Sequence, residues 1–141
     1  SQFLRNFYEF NLPADVVKRL NINDFDSCGN LINYKNGASM VFFFTPACRF
    51  CQESVIQYTN FARQTKGISN VLAVDMSLAE NQFFIPKSNK FSYSVGKSYP
   101  MFIAYRDGNA CNVYTGERSV SGFTNFLGKV DPNCGLSGKC L

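Results

Sequence analysis

The run Met40-Val41-Phe42-Phe43-Phe44 is apolar at every position, and four residues beyond its end the chain reads Cys48-Arg49-Phe50-Cys51. A strand with one wet face alternates apolar and polar residues, so an unbroken apolar run predicts a strand covered on both faces, central in its sheet. Thr45-Pro46 ends the run, because proline brings no amide hydrogen to a ladder. From Cys48 to about Thr65 the apolar period becomes helical, with Cys51, Val55, Tyr58 and Ala62 on one stripe. Lys66-Gly67 supplies a stop, and Val71 to Val74 is a second strand-like run ending in Asp75. Met40 to Asp75 therefore reads as a βαβ unit, with both cysteines at the junction of strand and helix.

The rest of the chain extends this unit. Val16 to Ile22 reads as a first strand, and Asn23-Asp24 offers a cap for a helix over Phe25 to Tyr34. Ser77 to Asn89 reads as a surface insertion containing Pro86, and Phe91 to Val95 as a short helix. Met101 to Tyr105 and Ala110 to Thr115 flank Asp107-Gly108, a hairpin signal. Phe123, Phe126, Leu127 and Val130 predict a last amphipathic helix before Pro132. The expected organisation is an aromatic-rich helical arm over 1–15, an α/β domain over 16–130 and a Gly-rich, Cys-containing tail over 131–141. The domain's central mixed sheet is expected to be flanked by helices.

Composition removes several function classes. With 45% hydrophobic and 17% charged residues the chain can bury a core. The formal charge of +4 is spread along the chain rather than gathered in a basic stripe, which argues against nucleic acid as partner. No apolar run approaches the ~18 residues of a membrane span. The chain opens at Ser1 without an initiator Met, so it is expected to be a processed or trimmed form. No nucleotide, flavin or phosphate motif is visible; the Gly-rich stretch Cys134 to Lys139 lacks the arrangement of a phosphate loop.

The chemistry therefore falls to Cys48 and Cys51. A cysteine opening a helix meets unpaired N–H groups and the positive end of the macrodipole, which favour its thiolate. Cys48 is the expected nucleophile, and Cys51, one turn in and partly buried, is expected to resolve the mixed disulfide. Arg49 is expected to place a cation beside the thiolate. The redox centre would then be the dithiol itself, with no other cofactor, working on protein thiols or disulfides and recharged by a partner protein or glutathione. Two other readings stay open: a structural disulfide, and half of a zinc site. The sequence has no His, and the other cysteines are not spaced as a second zinc knuckle. Those four, Cys28, Cys111, Cys134 and Cys140, leave their pairing open. Cys134–Cys140 would close a short loop in the tail, Cys28–Cys111 is another candidate bridge, and Cys28 alone reads as a small buried apolar residue. Cys111, just after a turn, is expected to be exposed.

At Val41 to Cys48, Ser98-Tyr99-Pro100-Met101, Asn23 to Ser27 and Tyr114-Thr115-Gly116-Glu117-Arg118 the chain resembles the thioredoxin superfamily, and within it the protein disulfide isomerase type. The resemblance covers about residues 16–130. It implies a thioredoxin fold and a thiol–disulfide oxidoreductase, closer to an oxidase or isomerase than to a reductase. It also implies an oxidising compartment such as the secretory pathway or ER lumen. Pro100 would be cis, with Tyr99 presenting its backbone to a substrate peptide, and Arg118 would be the arginine that tunes the buried cysteine. Three departures stand out. Ala47 replaces the family's Trp. Phe42 replaces the buried carboxylate that takes a proton from the second cysteine, so resolution is expected to be slow. The dipeptide Arg49-Phe50 is neither the reductase nor the isomerase pattern. Phe50 beside Ala47 suggests an apolar rim that either contacts substrate or packs against a neighbouring loop. The alternative to an enzyme is a thioredoxin-fold protein-binding module with weak or no redox turnover.

Overall fold

The computed structural model describes residues 10–81, 98–131 and 133–134. Five strands form one sheet: β1 (Lys18–Leu20), β2 (Ala38–Phe44), β3 (Asn70–Asp75), β4 (Met101–Arg106) and β5 (Asn109–Tyr114). Their order is β1-β3-β2-β4-β5. β1 and β2 lie parallel to β3, β4 runs antiparallel to β2, and β5 returns antiparallel to β4. Helix α1 (Arg49–Gln64) makes the parallel crossover from β2 to β3, and α2 (Val120–Gly128) follows β5.

The unbroken apolar run becomes the central strand because both its faces are roofed. Met40, Phe42 and Phe44 point into one cluster with Tyr58 and Phe61 of α1 and Phe123 and Leu127 of α2. Val41 and Phe43 point into the other, with Leu72, Ile103 and Tyr105. The period of two places Phe42 opposite Ala73 on one side and Phe102 on the other. Phe42 and Phe102 stack with ring centroids 4.7 Å apart. Both described helices thus lie on the same face.

The opposite face shows the main departure from expectation. The segment expected to be a helix over Phe25 to Tyr34 is irregular. A 3-10 turn, Ile22–Asp24, is capped by Asn21 and Asp24 in a reciprocal box, and it ends at once. The Asp26 Oδ1 accepts from the N–H groups of Cys28 and Asn30, both at 2.9 Å. These side-chain bonds offer the backbone a turn in place of a helix, and Gly29 adopts φ +82°. The segment is held to the sheet by non-local bonds: the Tyr105 hydroxyl donates to Gly29 O at 3.1 Å, and Leu31 N–H to Gly108 O at 2.8 Å. Phe25 and Leu31 then fill the second cluster, as an amphipathic helix would have done.

Other boundaries moved less. The first strand keeps only Lys18–Leu20 of the expected Val16 to Ile22; Pro13 O accepts from the N–H groups of Val16 and Val17 in a turn just before it. Asp107 and Gly108, at φ +51° and +88°, form the expected hairpin turn. Of the insertion, a 3-10 turn at Ala79–Asn81 is described. Buried Asn81 accepts from Ile22 N–H and donates to Asp75 O, both at 2.9 Å. The expectations for residues 82–97, including the short helix at Phe91 to Val95, and for most of the arm and tail lie outside the described residues. At the arm's inner end Phe10 stacks on Phe44 at 4.1 Å.

The cysteine pairing differs from both candidate bridges. Cys111 and Cys134 form a disulfide with Cα atoms 5.6 Å apart, so neither Cys28–Cys111 nor Cys134–Cys140 forms. Cys111 is 2% exposed, not exposed, because residue 111 faces the helix side of β5, where α2 and the chain after it pack. Cys28 is also disulfide-bonded rather than a lone apolar residue. Cys48 and Cys51 are free thiols.

Candidate functional site around Cys48 and Cys51

β2 delivers the chain to one end of the sheet at Phe44, and the turn Thr45–Cys48 redirects it into α1. Cys48 N–H donates to Thr45 O at 3.1 Å, and the Gln52 side chain donates to Pro46 O at 2.7 Å. Cys48 is the N-cap of α1, not its first residue, and its Sγ accepts from Cys51 N–H at 3.2 Å. The sulfur takes the place of the capping oxygen usual in Ser, Asp or Asn. Cys48 is half-buried, whereas Cys51 is fully buried, in one cluster with Phe42, Phe44 and Tyr58.

The Tyr99–Pro100 peptide is cis, and Tyr99 O lies 3.6 Å from Cys48 Sγ. The three groups linked in the sequence reading, Cys48, Tyr99 and Pro100, therefore meet at one end of the sheet. Cys51 is pushed up to about 12, first by burial and then by its hydrogen bond with Cys48; the Thr45 backbone, and more weakly Arg118, act in the opposite direction. Phe42 sits where a carboxylate would be needed, flanked in register by Ala73 and Phe102, neither of which titrates. Tyr99 is also raised, by burial and then by Cys51.

Arg49 lies elsewhere than expected. Its guanidinium pairs with Glu53 at 3.1 Å, one turn along α1 and in solvent, a surface pair of the kind worth about 0.3–0.5 kcal/mol. Phe50 is 56% exposed, and Arg118 Cζ sits 5.8 Å from its ring centroid. Phe50, Glu53, Ser54, Gly116, Glu117 and Arg118 line a shallow cleft of about 400 Å³. Phe50 thus touches the neighbouring loop through Arg118 while more than half of it stays exposed.

Several positioning residues escaped the sequence reading. Gln57 Oε1 accepts from Val120 N–H at 3.1 Å, tying the start of α2 to α1. The Tyr114 hydroxyl donates to Glu117 O. A Cβ at residue 122 would collide with that hydroxyl and that carbonyl, so Gly122 permits the close approach that sets the loop carrying Arg118. A glycine inside a helical pattern was the available signal; Gln57 left none. Among the described residues no three His, Cys, Asp or Glu side chains gather as a metal site, and no helix is long and apolar enough to cross a membrane.

A mixed five-stranded sheet, with a dithiol capping the crossover helix and a cis-proline facing it, decides the architecture. The chain has the thioredoxin fold. No protein-family model matches the sequence, and no curated protein matches it. Among solved structures the thioredoxin fold recurs in the J-Trx1 fragment of ERdj5 (TM-score 0.61, 22% identity, covering 79% of this chain and 50% of that one). It recurs in the zinc-bound form of human ERp44 (0.59, 18%, 80% and 31%), and in form I of ERdj5 (0.64, 20%, 82% and 14%). The chain spans half or less of the length of each.

Proposed function

We propose that this chain is a thiol–disulfide oxidoreductase domain that exchanges disulfides with protein substrates through Cys48 and Cys51, in the oxidising or isomerising direction rather than the reducing one. The observation that carries the reading is the meeting of a free, half-buried Cys48 thiol, its buried partner Cys51 and the Tyr99 carbonyl at a cis-proline. The dithiol is the redox centre, with no further cofactor. In the reducing direction Cys48 thiolate attacks one sulfur of a substrate disulfide, and the other leaves as a thiolate that takes a proton from water. Cys51, having given its proton to water, then attacks Cys48 Sγ and expels the second substrate sulfur. Two electrons pass from dithiol to substrate. In the proposed direction the same steps run in reverse: the Cys48–Cys51 disulfide oxidises a substrate dithiol, and a partner protein or glutathione disulfide reoxidises the pair. Tyr99 O is placed to accept a backbone N–H of an extended substrate, with Phe50 as its apolar neighbour.

The setting rests on the remaining cysteines. Cys28 is disulfide-bonded and Cys111 pairs with Cys134, which suits an oxidising compartment. A second reading, a binding module with little turnover, is favoured by Phe42 and by the raised Cys51, which slow resolution.

The test is the reduction potential of Cys48–Cys51 in graded glutathione buffers, with Cys48→Ser as control. A two-electron transition near about −180 mV or above supports the proposal, and one near about −270 mV reverses its direction. Exchange that survives Cys48→Ser overturns the assignment of the nucleophile. Stable, saturable substrate binding with no titration would establish the binding module instead.

A further inference from the structure

Both opening and closing the Cys48–Cys51 bond pass through a Cys51 thiolate, and Cys51 sits in apolar surroundings. From β2 it faces Phe42 and Phe44, and from α1 Tyr58, whose hydroxyl donates to Leu72 O at 2.7 Å. Cys48 faces it from the cap of α1, Tyr99 from the cis-proline turn, and Arg118 from the loop before α2. Arg118 is the cation whose field reaches Cys51. Two carboxylates, Glu53 and Glu117, line the same cleft. Either would cancel that field by pairing with Arg118, yet among the described residues Arg118 makes no ion pair. Glu53 is occupied by Arg49, and the Arg118 guanidinium lies over Phe50 instead. An aromatic face attracts a cation without neutralising it.

We propose that Phe50 is a positioning residue for the dithiol: its ring, with Glu53 engaged by Arg49, holds the unpaired Arg118 guanidinium in the cleft next to the Cys48–Cys51 turn, where it favours the thiolate that resolves the mixed disulfide. The proposal deepens the oxidoreductase reading and rests on it. It accounts for a large apolar side chain left more than half exposed beside the nucleophile. It also explains the use of the unusual Arg49-Phe50 dipeptide in a chain that has Phe42 in place of a proton acceptor. The balance of the step is simple: the Cys51 proton goes to water, the Cys51–Cys48 bond forms, and the Cys48–substrate bond breaks with its electron pair on the substrate sulfur.

The experiment mixes the reduced protein with a chromogenic aryl disulfide across a range of pH. The first thiolate released reports attack by Cys48, and the second reports attack by Cys51 on the Cys48–aryl mixed disulfide. Phe50→Leu is expected to slow the second phase about two- to fivefold and to displace its pH profile upward. Phe50→Tyr, which keeps the ring face, restores it. Arg118→Met slows the second phase at least as much, and Phe50→Leu added to Arg118→Met slows it no further. Both side chains are exposed, so folding is not at stake. An unchanged second phase in Phe50→Leu, or an equal slowing by Phe50→Leu in the Arg118→Met background, overturns the proposal. Loss of the first phase in the unaltered protein would instead overturn the oxidoreductase reading.

Discussion

Phe42 occupies a place where the neighbouring strands offer Ala73 and Phe102 as its register partners. Its ring stacks on Phe102 and lies 5.0 Å from that of Tyr58. The residue therefore trades chemistry for packing: it closes the core beside Cys51 and supplies no base. Phe42→Glu is expected to accelerate the resolving phase about 10-fold or more, within the range of general base catalysis. It is also expected to cost about 3–5 kcal/mol, as loss of a buried aromatic does, read from the denaturant midpoint. Phe42→Gln should show a comparable loss of stability with no gain in rate; a gain in both variants would mean that loosened packing, not proton transfer, limits the step. Cys48 and Cys51 were legible in the sequence because they fall where an apolar run gives way to a helical period; the significance of Phe42 and Pro100 came from the resemblance to the thioredoxin superfamily. The partner of Arg49 was not legible: whether an arginine turns toward a thiolate or toward Glu53 depends on a rotamer choice among exposed atoms.

Helix α1 and the strands beneath it are joined by one hydroxyl. Tyr58 Oη donates to Leu72 O at 2.7 Å and lies 3.1 Å from Met40 O. Burial holds its ionisation well above the ordinary tyrosine value. Tyr58→Phe leaves the ring packing in place and removes the donor from a buried carbonyl. We expect a loss of about 1–2 kcal/mol in urea unfolding, with both phases of thiol exchange unaltered because the hydroxyl does not reach the sulfurs. Elements of this kind, with a strong period and clean stops, were read from sequence to within a residue or two: β2, α1, β3 and the hairpin; α2 begins at Val120, three residues before the expected Phe123. The helix expected over 25–34 failed because Asn21, Asp24 and Asp26 give the backbone local partners that compete with helical bonds. Tyr105, Gly108 and Asn30 then lock the resulting loop onto the sheet.

For the whole molecule, the sheet is clad by both described helices on one face and by the loop of residues 21–35 on the other. The Cys111–Cys134 bridge fastens the chain after α2 back to β5. Its sequence separation of 23 residues corresponds to about 3 kcal/mol of loop-closure entropy removed from the unfolded chain. The paired variant Cys111→Ala/Cys134→Ala is therefore expected to lose about 2–4 kcal/mol in non-reducing denaturant titrations. Its Cys48–Cys51 potential should not change, because the bridge lies away from the dithiol. A shift in that potential would show that the bridge also shapes the redox site.

Local pattern by itself determined the βαβ unit and the placing of the dithiol at the strand-to-helix junction, since each follows from periods, stops and counted spacings along a short stretch; the roles of Pro100 and Phe42 came from the resemblance to a known family. Tertiary structure alone decided which cysteines pair, which face each helix covers and that Arg118 rests on Phe50. Those outcomes depend on which distant segments are brought within a few ångströms, and no spacing along the chain encodes that distance.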